Sequence, residues 1–179
     1  MYDIMSERRH YMIDEEVIDF VADYLNKVVN QEEEIGVFVD KEAYPNAILP
    51  SRAFETDAGF DVYSAQVGYI LPKNRLLVHT GIHLKLPVGW ECQVRARSGL
   101  SLKKGISVLN GPGTIDSSYV GEVGVILYNS GEEPFLFKEQ ERIAQLVFKK
   151  VPKIIIKEIS EKPTNEIRGE GGFGSTGTK

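Results

Sequence analysis

The chain has 179 residues, 42% hydrophobic and 26% charged, which suits one globular domain with a real core plus some peripheral sequence. A formal charge of -5 argues against an extended phosphate-tracking surface, which needs clustered Lys and Arg to displace counterions; a small anionic ligand held by a few local donors stays compatible. The single cysteine, Cys92, excludes an internal disulfide and a multi-cysteine zinc site, and no apolar run approaches the ~20 residues of a membrane helix, so a soluble cytoplasmic protein with neither membrane nor nucleic acid as partner is expected.

Residues 14–30 carry the one convincing helical pattern, with Val17, Phe20, Val21, Tyr24, Leu25 and Val28 returning at helical spacing. Asp14 is placed as N-cap, and Ile13 with Ile18 as a hydrophobic staple. The helix ends before the acidic run Glu32 to Glu34. Its charged and apolar faces predict packing on the body of the protein or on a partner.

From Ile35 onward the period becomes alternating, and frequent turn signals predict an all-β sandwich or barrel. Strands are expected near 35–39, 59–64, 75–86, 90–96, 106–109, 123–129, 134–137, 142–149 and 153–159. In the clearest, Leu76, Val78, Thr80, Ile82, Leu84 and Leu86 share one face while Arg75, His79, His83 and Lys85 share the other, so both histidines read as solvated rather than as metal ligands. Trp90, Cys92, Val94 and Ala96 alternate with Glu91, Gln93 and Arg95, which makes Cys92 a core residue and not a nucleophile. After Pro163 a glycine-rich tail has little apolar surface to bury and is expected to move until a ligand orders it. Three units are therefore expected: a helical extension over 1–34, a β domain over 35–162 and a flexible flap over 163–179.

The tail imitates two phosphate motifs. Gly172, Gly174 and Gly177 satisfy G-x-G-x-x-G, but no helix can follow, and the P-loop reading fails because Thr178 stands where the lysine must be. What survives is their shared physics: glycine backbone closing on an anion, hydroxyls from Ser175 and Thr176, and a forked cation from Arg168. Arg97-Ser98-Gly99-Leu100 offers further donors at a strand end, although the same residues make an ordinary turn.

Asn110-Gly-Pro-Gly-Thr-Ile-Asp116-Ser-Ser-Tyr119-Val-Gly-Glu122 reads as a turn-rich hairpin able to bond a planar base and cover a sugar with Tyr119. Aspartate is ordinarily ionised at neutral pH, so Asp116 can take a proton from water; taken alone, it reads more readily as a turn former. Asp57-Ala-Gly59-Phe-Asp61 could hold magnesium through one carboxylate or simply form a turn. Glu141-Arg-Ile-Ala-Gln145 places a polar Gln in an otherwise apolar strand, which raises the question of what it bonds.

In this order, DAGFDVYSA, RSGLSLKKG, NGPGTIDSSYVGE, ERIAQL and RGEGGFGSTG resemble the five sequential motifs of trimeric dUTPases, from about Leu49 to Gly177. The resemblance implies a jelly-roll-like β subunit, a homotrimer with three active sites at its interfaces, a Mg2+ cofactor, and hydrolysis of dUTP to dUMP and pyrophosphate, which would limit uracil in DNA and supply dUMP. Carried over, Asp61 would hold the metal through water, and Arg97 and Ser98, with Gly99 beside them, would bind the phosphate chain. Asn110 and the backbone around Gly113 and Ile115 would read uracil, Tyr119 would exclude a ribose hydroxyl, and Asp116 would deprotonate the attacking water. Gln145 would contact the phosphates or their water shell. In the tail, Phe173 would stack on uracil while Arg168, Gly174, Ser175 and Thr176 close on the γ-phosphate.

Three departures stand out. Ala96 replaces the family's usual proline before Arg97, Gln140 replaces a usual glycine, and the first 34 residues have no counterpart in the common core. The dCTP deaminases of similar fold look like Arg-Ser-Ser with a glutamate in the strand after the third motif, whereas here Gly99 follows Ser98 and Val123 to Leu127 contain no acid. A nucleotide-gated binding protein that contacts a partner through its N-terminal helix is the other rival.

Overall fold

The computed structural model describes residues 15–29 and 33–164. Its elements are helix α1 (Glu15–Val29), strands β1 (Gly36–Val39), β2 (Phe60–Tyr63), β3 (Gly68–Ile70), β4 (Arg75–Val78), β5 (Ile82–Lys85) and β6 (Trp90–Arg95), helix α2 (Ser98–Lys104), then β7 (Ile106–Val108), β8 (Gly113–Asp116), β9 (Val125–Asn129), β10 (Phe135–Phe137) and β11 (Arg142–Lys150). The strands pair antiparallel in a four-stranded sheet ordered β2-β11-β6-β8, a three-stranded sheet β4-β9-β7, and the pairs β1-β5 and β10-β3. This is the expected all-β, jelly-roll-like architecture. Inward residues from the sheets, among them Val62, Ile82, Cys92, Leu127, Ile143 and Leu146, form one continuous core.

The predicted strand over 75–86 breaks in two at Thr80-Gly81. Gly81 adopts φ 65, and a Cβ there would approach Ala47 Cβ to 2.7 Å, so the corner requires glycine in conformation and in space. The inward alternation survives the break: Val78, Thr80, Ile82, Leu84 and Leu86 are all buried, and the Thr80 hydroxyl donates to the Val123 carbonyl at 2.6 Å. The histidines are not simply solvated, because each ring is partnered: His79 with Glu122, and His83 through Nδ1 with the Val120 carbonyl at 3.0 Å.

Two other expectations change. Residues 153–159 form no strand; Ile154, Ile155 and Ile156 are 73%, 73% and 93% exposed, and apolar side chains alone do not make a strand without a ladder to join. The stretch after Arg97 is the helix α2, closed by Gly105 in the left-handed region at φ 66. The predicted N-terminal helix is present, but Phe20 and Tyr24 on its apolar face are 70% and 59% exposed, and none of its described side chains joins the core cluster. Asp14 and Ile13 lie outside the described residues.

Cys92 is fully buried, and burial first, then the neighbouring Glu91 charge, pushes its thiol up to about 12. A raised thiol pKa means that the folded state holds the proton more tightly. Stability is therefore intact below the unfolded value of ~8.5 and is lost as pH climbs from there toward 12, at about 1.4 kcal/mol per unit. Urea titrations from pH 8 to 10.5 should show this decline in the native protein and not in Cys92→Ala, after each variant is referenced to its own stability at pH 8.

Candidate active site

The hairpin after β7 builds a small pocket of about 160 Å³ lined by Val94, Asn110, Gly113, Thr114, Ile115 and Tyr119, among others. Its floor follows from register: Gly113 lies opposite Val94 and Ile115 opposite Cys92, so the inward side chains of β8 are zero or medium in size and buried, while Thr114 and Asp116 face out. A Cβ at Gly113 would approach Asn110 Nδ2 to 3.2 Å and Val94 Cβ to 3.4 Å, so glycine there leaves room for the Asn110 amide. Asp116 ends β8 opposite Glu91, is exposed, and accepts the Tyr119 amide on its own carbonyl at 3.0 Å, which turns the chain. Within the stretch read as a turn-rich hairpin, Gly113–Asp116 is thus a strand. That gives Asp116 a rigid base.

A second group gathers across β2, β11 and the end of β6. The Asp61 carboxylate pairs with Arg97 Nε at 2.9 Å and with Arg142 Nη1 at 3.1 Å, and Arg97 also donates to the Arg142 carbonyl at 3.0 Å. Gln145 lies opposite Asp61 on one side and Arg95 on the other, and its Nε2 donates to the Ala96 carbonyl at 3.0 Å. This bond answers what Gln145 is for in the folded chain: it pins the residue that stands where proline is usual, immediately before Arg97. Gly59 lies against it, and a Cβ there would come within 2.5 Å of Gln145 Oε1, so that a larger residue would displace the Gln145 amide. Ser98 and Gly99 open α2 and are exposed, with nothing near a Cβ added at Gly99, so that backbone is open to a ligand.

Among the described residues no group of three or more His, Cys, Asp or Glu is gathered to cage a metal. Magnesium needs no such cage, because it keeps several waters and commonly uses one or two carboxylates plus substrate phosphates. Asp61 fits that role: two of its roughly four acceptor positions are taken by guanidinium groups, and the others remain for water.

Sequence reasoning missed three residues. Arg142 supplies the second guanidinium, and its signal was present in ERIAQ, where it alternates out of the buried face. Glu122 and His79 form a partly buried pair at 2.8 Å beside the pocket. Burial opposes ionisation of the Glu122 carboxyl, but the Gly81 amide, the His79 side chain and the Thr80 amide together outweigh it and hold its pKa below the ordinary value. No period or motif in the sequence relates positions so far apart.

The pocket lining includes none of Asp61, Arg97, Arg142 or Gln145. A larger groove of about 650 Å³, walled by Ile35, Val37, Phe60, Trp90 and Phe148, offers apolar surface and little of this chemistry. Arg168, Phe173, Gly174, Ser175 and Thr176 lie outside the described residues. No described helix is long and apolar enough to cross a membrane.

The dUTPase family profile matches residues 45–177. The chain is 51% identical over 138 residues to a deoxyuridine 5'-triphosphate nucleotidohydrolase of Clostridium kluyveri, spanning 77% of this chain and 96% of that one. It is 50% identical over 131 residues to the same enzyme of Clostridium novyi, spanning 73% and 92%. Among solved structures it is similar to the Staphylococcus bacteriophage 80alpha dUTPase with dUPNHPP, with a TM-score of 0.70 and 28% identity over 82% of this chain and 100% of that one.

Proposed function

The chain belongs to the dUTPase family of dUTP diphosphatases, and from that premise we propose how its own residues carry out the hydrolysis of dUTP to dUMP and pyrophosphate. The observation that carries the proposal is a base-sized pocket whose bounding strand ends in an exposed aspartate. In this reading Asn110 and the backbone of Gly113 and Ile115 bond the uracil edge, and cytosine is rejected because its reversed donor pattern would leave buried groups unpaired. Tyr119 packs against deoxyribose and leaves no room for a ribose hydroxyl. Asp116 orients a water in line with the α-phosphorus and takes its proton as the P–O bond forms; the bond to the bridging oxygen breaks and pyrophosphate leaves.

Arg97 and Ser98 hold the phosphate chain, with Ser98 at the bridging oxygen, and Gln145 contacts the phosphates or their water. Arg97 exchanges part of its pairing with Asp61 for the phosphates, a swap between two anionic partners that keeps the guanidinium satisfied. Bound Mg2+, held by Asp61 through water, would neutralise phosphate charge. Arg168, Phe173, Gly174, Ser175 and Thr176 close on the uracil and the γ-phosphate, as their donors and the extent of the family match to residue 177 support. Such transfers depend mainly on alignment and charge neutralisation, which these residue types supply.

Three copies of the chain complete three sites. Support comes from the lining of the base pocket, which omits Asp61, Arg97 and Gln145, and from the exposed isoleucines of 154–159. The expected units are the extension over 1–34, the β domain over 35–162 and the catalytic tail over 163–179, acting in the cytoplasm to keep uracil out of DNA and supply dUMP.

Pyrophosphate release measured with dUTP, dCTP, dTTP and UTP, with and without magnesium, tests the activity: turnover of dUTP alone, enhanced by the metal, is expected, and ammonia release from dCTP would contradict it. The exposed apolar face of α1 favours a contact with another protein, outside the chemistry. Deletion of residues 1–34 should therefore leave kcat within about twofold and the oligomer still trimeric. Loss of the trimer would show that the helix belongs to the assembly.

A further inference from the structure

Beside the backbone bridge of His83 with Glu122 and the bond of the Val123 amide to the Ile82 carbonyl at 2.8 Å, the hairpin that carries Tyr119 is fastened to the corner between β4 and β5 by side-chain bonds that converge on Glu122. Glu122 Oε1 accepts the amides of Thr80 and Gly81, each at 2.9 Å, and Oε2 lies 2.8 Å from His79 Nδ1. His79 is itself steadied by the Tyr44 ring, stacked at 5.6 Å. The main chain of Glu122 then reaches the pocket, because its carbonyl accepts the Tyr119 hydroxyl at 2.9 Å. Gly121 makes that contact sterically feasible: a Cβ there would fall 2.5 Å from Tyr119 Oη, so the ring can fold back only over a residue without one. One carboxylate thus ties a strand corner to the ring that faces the sugar.

We infer that Glu122, oriented by His79, is a positioning residue that fixes Tyr119 and thereby sets the discrimination between deoxyribose and ribose. The inference rests on the placement of Tyr119 against the sugar given above. Exclusion of a single hydroxyl is steric, and it works only if the excluding ring cannot retreat. A site wall must be held within about 0.5 Å by the residues behind it to keep that selectivity. Removing the Glu122 carboxylate frees two backbone amides and the His79 ring from their acceptor, and the carbonyl that holds the tyrosine hydroxyl moves with them. Ribose then fits.

The test compares kcat/KM for dUTP and UTP in the full-length enzyme and in Glu122→Ala, Glu122→Gln, His79→Ala and Gly121→Ala, with thermal melting as the folding control. Glutamine keeps an oxygen for both amides and can donate its NH2 to His79 Nδ1, so Glu122→Gln should keep the native preference. Glu122→Ala should lose about tenfold in dUTP-over-UTP preference, chiefly through better use of UTP. Gly121→Ala should lose a comparable amount without removing a polar group, and His79→Ala somewhat less. Should Glu122→Ala not fold, the glutamine, His79 and Gly121 variants decide the matter. Native preference retained in every folded variant would overturn the inference; absence of a dUTP preference in the unaltered enzyme would instead overturn the placement of Tyr119 itself.

Discussion

Asp116→Asn should lower kcat for dUTP by roughly 10²- to 10⁴-fold, the range expected when a general base is removed, while dUTP affinity changes little. Asparagine keeps the size and one oxygen of the side chain but cannot accept a proton from water. The effect should be confined to chemistry, because Asp116 is exposed at the end of β8 and its structural duty, accepting the Tyr119 amide, is performed by its main-chain carbonyl. Melting temperature should stay close to that of the parent. Calorimetric titration beside steady-state kinetics checks both halves of the expectation. A variant that binds and turns over dUTP normally would remove Asp116 from the reaction.

Truncation after Pro163 should cost about a hundredfold or more in turnover and leave a folded body. The described core cluster draws its buried residues from Val62 to Leu146, all before Pro163. What the truncation removes is Arg168, Phe173, Ser175 and Thr176, a forked cation, an aromatic ring and two hydroxyls assigned to the uracil and the γ-phosphate. Circular dichroism, the oligomer mass and pyrophosphate release measured on the same preparation distinguish lost chemistry from lost structure. Full activity in the truncated protein would show that the tail takes no part.

The fold was legible wherever local pattern and burial agree. Alternation placed Cys92 and Val94 inward and Glu91, Gln93 and Arg95 outward, and β6 follows that pattern. It failed where a tertiary requirement intervenes. Gly81 breaks the 75–86 strand because the chain must turn against Ala47, a neighbour the local pattern does not reveal. The isoleucines of 153–159 read as a strand because period alone cannot report whether a ladder partner exists. α2 was hidden by its length: seven residues with none buried leave no apolar stripe to find.

In the proposed site, motif order singled out Asp61, Arg97, Asn110 and Gln145 as candidates, but spacing could not show how they are joined. The structure supplies those joins: Asp61 is bridged by Arg97 and Arg142, and Gln145 is fixed to the Ala96 carbonyl. His79 was misread because a polar-face histidine on a strand is ordinarily solvated, and its partner Glu122 is 43 positions away. Gln140 shows a departure being absorbed. It stands at φ 61, the left-handed conformation a glycine would take freely, with its Nε2 donating to the Asn46 carbonyl at 3.1 Å.

The most direct examination of the proposed chemistry is a crystal structure of the assembled enzyme with magnesium and an unreactive imido analogue of dUTP. Uracil should lie against Asn110 and the Gly113–Ile115 backbone, with the sugar on Tyr119. The Asp116 carboxylate should be in hydrogen-bond reach of a water aligned with the α-phosphorus, and Arg97 from a neighbouring copy should lie on the phosphates. An Asp116 side chain directed into bulk solvent, with the innermost phosphorus beyond reach of any water it holds, would contradict the mechanism.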